Sequence, residues 1–142
     1  MINPTLSLAV EGEALKGLYA AINRNDIPGV LEKLDPQIEW SEPPEFHMGG
    51  TRRGLPAVRD HFTEARDSWA EGSCEVERLL VAGDKIIVFV HVHVRLKHEA
   101  EWRDGNVTDV HTFRGGRIIS ARVFADREQA LEWAGVEASA AT

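Results

Sequence analysis

The stretch from Lys85 to His98 contains neither glycine nor proline, is rich in valine and isoleucine, and reads as one long β-strand. Side chains alternate faces along a strand. One face therefore carries Ile86, Val88, Val90, Val92, Val94 and Leu96, and the other Ile87, Phe89, His91, His93, Arg95 and Lys97. The first is a plain hydrophobic surface. The second begins apolar and passes through histidine to cation. Because Ile87 and Phe89 share that second face, it is not simply the solvent side. The pattern predicts that it lines a pocket, apolar at one end and polar further along.

The rest of the chain organises around this strand. Leu8, Leu15, Leu18, Tyr19 and Ile22 fall at helical spacing and predict an amphipathic helix over about 5–25. Asp26 is placed to cap a short second helix with Pro28 in its first turn, which Asp35-Pro36 ends. Gln37 to Glu42 reads as a short strand stopped by Pro43-Pro44, and Glu45 to Arg53 as a loop or irregular edge. A third helix starts near Leu55-Pro56, turns Val58, Phe62, Ala65 and Trp69 inward with His61 beside them, and ends at Gly72. Strands follow over 73–81, 106–114 and 117–125, joined to each other and to the central strand by turn signals such as Gly83-Asp84 and Gly115-Gly116. Asp126 then caps a final helix with Ala130, Leu131 and Trp133. Helices gathered before hairpin-linked strands mean α+β: a curved antiparallel sheet wrapped around helices, a cone with an internal pocket. The prediction is one domain over 1–142, with a frayed tail over roughly 137–142.

Composition narrows the function classes. A formal net charge of -7 argues against nucleic acid and anionic membrane as partners, since both need a basic surface. No apolar run and no charged start resembles a membrane span or a signal peptide, so a cytoplasmic protein is expected. The lone cysteine, Cys74, excludes an internal disulfide. No glycine-rich phosphate loop or nucleophile elbow is present, and no cofactor is implied.

Four segments carry a family likeness: Tyr19 to Asp26, Leu34 to Trp40, Arg53 to Phe62 and Asp109 to Ile119. With their spacing, they make the chain resemble the nuclear-transport-factor-2-like (NTF2-like, cystatin-like) superfamily, in its branch of SnoaL-like polyketide cyclases and ketosteroid isomerases. The resemblance implies a general base before a proline at the end of the first strand, where Glu42 stands. It implies a second acid on the penultimate strand, kept protonated by an apolar site, where Asp109 stands. The pattern's tyrosine falls at Leu18, with Tyr19 one step, about 100°, round the helix, a departure that argues against a tyrosine-assisted oxyanion hole and steroid isomerisation. It also turns Asp109, His111 and Phe113 towards the pocket with Phe89, His91 and His93, and places His61 at the helical wall. Members commonly pair sheet against sheet, so a homodimer is expected through the stripe Val88, Val90, Val92 and Val94, because contiguous exposed apolar area marks an interface.

The expected chemistry is cofactor-independent proton transfer on a mostly apolar small molecule: isomerisation, cyclisation, or hydration and ring opening. Asp109 and Glu42 would be acid and base, with His91, His93 and His111 shuttling protons. Tyr19, Trp40, His61, Phe89, Arg95, Phe113 and Ala121 would contact the ligand. His91 and His93 lie about 7 Å apart along one strand face. Against these stand plainer readings: the histidines face a wet groove, Asp109 is a structural acid paired with a histidine, and Glu42 is a solvated strand end. The histidines and carboxyls include the side chains of zinc and iron sites, yet none has His-x-x-x-His spacing, and no metal is expected. Two rival functions stay open: a non-catalytic ligand-binding or accessory domain, and a structural dimer with an unused cavity.

Overall fold

The computed structural model describes residues 6–137; residue 5 of the first expected helix and residues 138–142 of the expected tail lie outside them. Helix α1 spans Glu11–Asn23 rather than starting near residue 5. The reason is local. Ser7 Oγ accepts the Val10 N–H and Glu11 returns a carboxylate to the Ser7 N–H at 2.8 Å, so residues 8–10 form the entry turn. Helix α2, Ile27–Leu31, is capped by Asp26 through the Gly29 N–H at 3.1 Å. Strand β1, Leu34–Glu42, β2, Gly50–Arg53, and helix α3, Leu55–Asp67, follow. Then come β3, Trp69–Ala82, β4, Lys85–Leu96, β5, Arg103–Arg114, β6, Arg117–Phe124, and α4, Arg127–Trp133, with Asp126 as its cap.

Two boundaries differ from the sequence reading. The expected loop before α3 contains β2, paired with β1. Helix α3 stops at Asp67, so Trp69 belongs to β3, opposite Leu96. Gly72 is no helix end. It sits within β3 at φ 133°, where an added Cβ would lie 2.3 Å from the His93 carbonyl oxygen. Glycine is there because two strands approach too closely for a side chain.

The six strands form one curved, unclosed sheet in the order β2-β1-β6-β5-β4-β3. It is mixed rather than antiparallel throughout: β1 runs parallel to β6, and no hairpin dictates that pairing. Helices α1 and α3 fill the concave side with Leu15, Leu18, Ile22, Val58 and Phe62. They meet Ile86, Val88 and Val90 of β4, all almost completely buried.

This reverses the expected sense of β4. The valine face is the inner one, so Val88, Val90, Val92 and Val94 are not an outer dimerisation surface. Ile87 and Phe89 are covered on the opposite side by α4, through Ala130 and Leu131. Beyond the reach of that short helix, His91 is half-exposed and His93 exposed. Alternation fixed which residues share a face. Which face looks inward was decided by the placement of α4.

Candidate active site

A cavity of about 550 Å³ opens between α1, α3 and the concave sheet. Tyr19 and Ile22 reach it from α1, and His61, Phe62 and Arg66 from α3. The sheet supplies Trp40 and Glu42 from β1, Cys74 from β3, Val90, Val92, Val94 and Leu96 from β4, and Asp109 from β5. Its polar groups form two linked carboxyl networks.

The first centres on Asp109. The register of β5 sets it opposite Val88, and so on the inner face. Its Oδ2 accepts from the Tyr19 hydroxyl at 2.5 Å. The Tyr19 oxygen also lies 2.9 Å from His111 Nε2. Tyr19 has one proton, and Asp109 takes it, so the imidazole is the donor in that second contact. Burial pulls the His111 pKa down to about 3, keeping the ring neutral. Burial pushes Asp109 up to about 7, with the charge of Glu42 adding to the rise and the Tyr19 hydrogen bond opposing it. Tyr19 is raised well above an ordinary phenol, first by burial and then by Asp109, and keeps its proton. Asp109 Oδ1 and His111 Nδ1 are buried and have no partner among the described residues.

The second network centres on Glu42. Its Oε2 accepts from Trp40 Nε1 at 3.0 Å and contacts His61 Nε2 at 2.7 Å. Trp40 sits edge-on to Phe62, 4.8 Å between centroids, and edge-on to His111 at 5.8 Å, so its indole is fixed between helix and sheet. Glu42 is partly exposed and His61 almost fully buried. Pro43, next in sequence, keeps the strand from running past Glu42.

The structure thus brings together Tyr19, Trp40, Glu42, His61 and Asp109 at the cavity, with His111 behind Tyr19. It corrects the remaining assignments. His91 and His93 lie on the outer face, both against Asp104 Oδ1 at 2.9 and 2.8 Å, with the His93 ring stacked on Trp102 at 4.2 Å. Arg95, on the same outer side, pairs with Glu71 at 3.2 Å. Phe89 is packed under α4. Phe113 and Ala121 are inner-facing but belong to the core rather than the cavity wall. Tyr19, one step round from the expected position, is the residue that reaches Asp109; Leu18 beside it is buried in the core. Sequence reasoning missed Val90, Val92, Val94 and Leu96 as walls, and Arg66 as a lining cation. The valines carried no distinguishing signal, because both faces of β4 begin apolar. Burial pushes the Cys74 thiol up to about 12, leaving it a protonated wall group. Among the described residues no group of three or more His, Cys, Asp or Glu could hold a metal ion, and no helix is long and apolar enough to cross a membrane.

A curved sheet closed by helices over a carboxyl-bearing cavity defines an NTF2-like α+β protein. Among solved structures, an NTF2-like protein of unknown function from Burkholderia pseudomallei K96243 is similar with a TM-score of 0.75 and 22% identity, over 89% of this chain and 97% of that one. A provisionally assigned SnoaL-like polyketide cyclase from Jannaschia sp. CCS1 gives 0.72 and 14%, over 87% and 90%. A protein with a ketosteroid isomerase-like fold from Catenulispora acidiphila DSM 44928, in complex with trimethylamine, gives 0.72 and 13%, over 89% and 95%. No curated protein sequence matches the chain. The model of the SnoaL-like domain matches residues 15–121, and the chain belongs to that family.

Proposed function

We propose that this protein is a cofactor-independent enzyme that moves a proton on a mostly apolar small molecule, with Asp109 as acid and Glu42 as base. The observation that carries this reading is the state of Asp109: a buried carboxyl at the cavity wall, pushed to about 7, with one oxygen held by Tyr19 and the other without a partner among the described residues. A buried carboxyl that keeps its proton can donate beside a second carboxyl that still meets water. Glu42 keeps contact with water and receives N–H donors on one oxygen, leaving Oε1 for a substrate C–H.

The step balances as follows. Glu42 takes a proton from a carbon next to a carbonyl. Protonated Oδ1 of Asp109 hydrogen-bonds to the developing enolate oxygen, or gives it that proton. When it does, the Tyr19 hydroxyl supports the new carboxylate and the His111 Nε2–H supports Tyr19. Phe62, Val90 and Val92 supply the apolar wall that keeps these donors effective.

A second reading, a pocket that only holds its ligand, is favoured by Glu42 Oε2, which its own neighbours already satisfy. Deuterium exchange separates the two. The probes are 2-tetralone and a panel of planar polycyclic and terpenoid ketones in D2O, followed by NMR. Exchange above the buffer rate that falls about 10²–10⁴-fold in both Asp109→Asn and Glu42→Gln supports the enzyme. Binding by thermal shift with no exchange supports the holder.

A further inference from the structure

Arg66 stands in the last turn of α3, lines the cavity, and is held from two sides. Its Nε donates to the Ile22 carbonyl at 2.7 Å, and its guanidinium carbon lies 4.3 Å from the centre of the Trp69 ring. Among the described residues no carboxylate comes within ion-pair distance of it. The other arginine in the wall, Arg103, is taken by Glu99 at 3.0 Å. The neighbouring acid Asp67 is turned to Lys97 at 3.6 Å. Glu42 and Asp109 are engaged with His61 and Tyr19, and Asp104 with the outer histidines. Burial lowers the Arg66 pKa somewhat, the mark of a cation already short of water. A guanidinium has five N–H donors in a fork that matches a carboxylate, and only the Nε hydrogen is assigned here. In a chain with a net charge of -7, such a cation facing a cavity is a local device rather than part of a general basic surface.

We propose that the pocket selects an anionic ligand, an apolar body bearing a carboxylate that Arg66 grips. The orientation follows from the two ends of the cavity. The Glu42 carboxylate repels a second carboxylate at its end, so the acid group is sent to Arg66 and the apolar body to the catalytic carboxyls. Arg66 lies five positions after His61 on α3, about 7.5 Å further along the helix axis, so the anion grip is set back from the His61–Glu42 pair. The choice of reacting end rests on the acid–base reading above; the anion grip does not.

The test is isothermal titration calorimetry with biphenyl-4-carboxylate and its neutral isostere, biphenyl-4-carboxamide. The wild-type protein is expected to bind the carboxylate at least tenfold more tightly. Arg66→Gln should bring the two within twofold of each other, with an unchanged far-UV circular dichroism spectrum showing that the variant is folded. Arg66→Lys should keep part of the preference, because the charge stays while the fork is lost. Equal wild-type affinities, or a preference that survives Arg66→Gln, overturn the proposal. Asp109→Asn serves as the cross-control: it should retain the carboxylate preference even as exchange falls about 10²–10⁴-fold, so failure of the anion grip and failure of the catalytic reading give different results.

Discussion

The Tyr19 hydroxyl donates to Asp109 Oδ2 at 2.5 Å, across ninety residues of sequence and in a place where each residue is only 4% exposed. That bond ties α1 to the middle of β5. Among the described residues it is the contact that favours the ionised form of Asp109, against burial and the charge of Glu42. The phenol is therefore both a structural clasp and a brake on the acidity shift of the proposed proton donor.

Replacing Tyr19 by phenylalanine should show both roles. Asp109 Oδ2 and His111 Nε2 would each lose their one partner, and a buried unsatisfied polar group costs about 1–3 kcal/mol. Urea denaturation should show a loss of roughly 2–5 kcal/mol. Asp109, freed of its only lowering contact, would hold its proton to higher pH, so the alkaline limb of the exchange rate should move upward. A limb that stays in place would mean that Asp109 is not the donor.

Glu42 gives a sharper separation of stability from chemistry. A glutamine there can still accept from Trp40 Nε1 and His61 Nε2 through its amide oxygen, so Glu42→Gln should keep the denaturation midpoint close to wild type. Exchange should fall about 10²–10⁴-fold, since an amide takes no proton. Glu42→Leu, by contrast, orphans two donors and should cost about 2–4 kcal/mol. If Glu42→Gln exchanged as fast as wild type, the base would have to be sought elsewhere.

How far the sequence reached depends on the kind of information each feature carries. The uninterrupted run through β4, the glycines of the β5–β6 turn and the amphipathic stripes of α1 and α3 are local signals; they placed β4 and the turn closely, but the start of α1 and the end of α3 only to within five or six residues. Asp109 was legible as an acid in a strand of burial-prone residues, and Glu42 by its place before Pro43. The sense of β4 was not legible. Alternation gives two sets of residues but no inward sign, and the sign rests on seven residues of α4 lying over Ile87 and Phe89. The sequence marks Tyr19 as a ligand contact, while helical phase, with Leu18 at the pattern's tyrosine position, argues against its part in an oxyanion hole. In the fold both side chains are buried, and the phenol reaches Asp109 from one step round.

Val92 tests the corrected sense of the strand. It lines the cavity and lies opposite Gly105 on the inner face. Val92→Arg should fill the pocket and weaken biphenyl-4-carboxamide binding at least tenfold, without changing the size of the particle on sizing chromatography. A homodimer is retained as a proposal with a changed surface. A second copy would have to meet the outer face, where His93 and Trp102 stand exposed. Trp102→Ala is therefore the change to examine for loss of association. A shift in particle size from Val92→Arg alone would contradict the inner placement.

Asp109 and His111 set opposing pH dependences of stability that conceal each other in the wild type. Folding raises Asp109 from an ordinary 3.8 to about 7, so between those values the native state holds a proton that the unfolded chain has lost. Stability from this group falls as pH rises through that window. Folding lowers His111 from 6.5 to about 3, so there the unfolded chain holds the extra proton, and stability rises with pH across the same range. Each shift corresponds to roughly 4–5 kcal/mol at about 1.4 kcal/mol per unit. Over about pH 4 to 6.5 the two slopes nearly cancel. Asp109→Asn removes the falling contribution and should leave stability rising steeply with pH. His111→Gln removes the rising one and should leave stability falling. Urea midpoints at half-unit intervals from pH 4 to 8 check this. Parallel curves for wild type and both variants would show that neither group is buried in the protonation state assigned here.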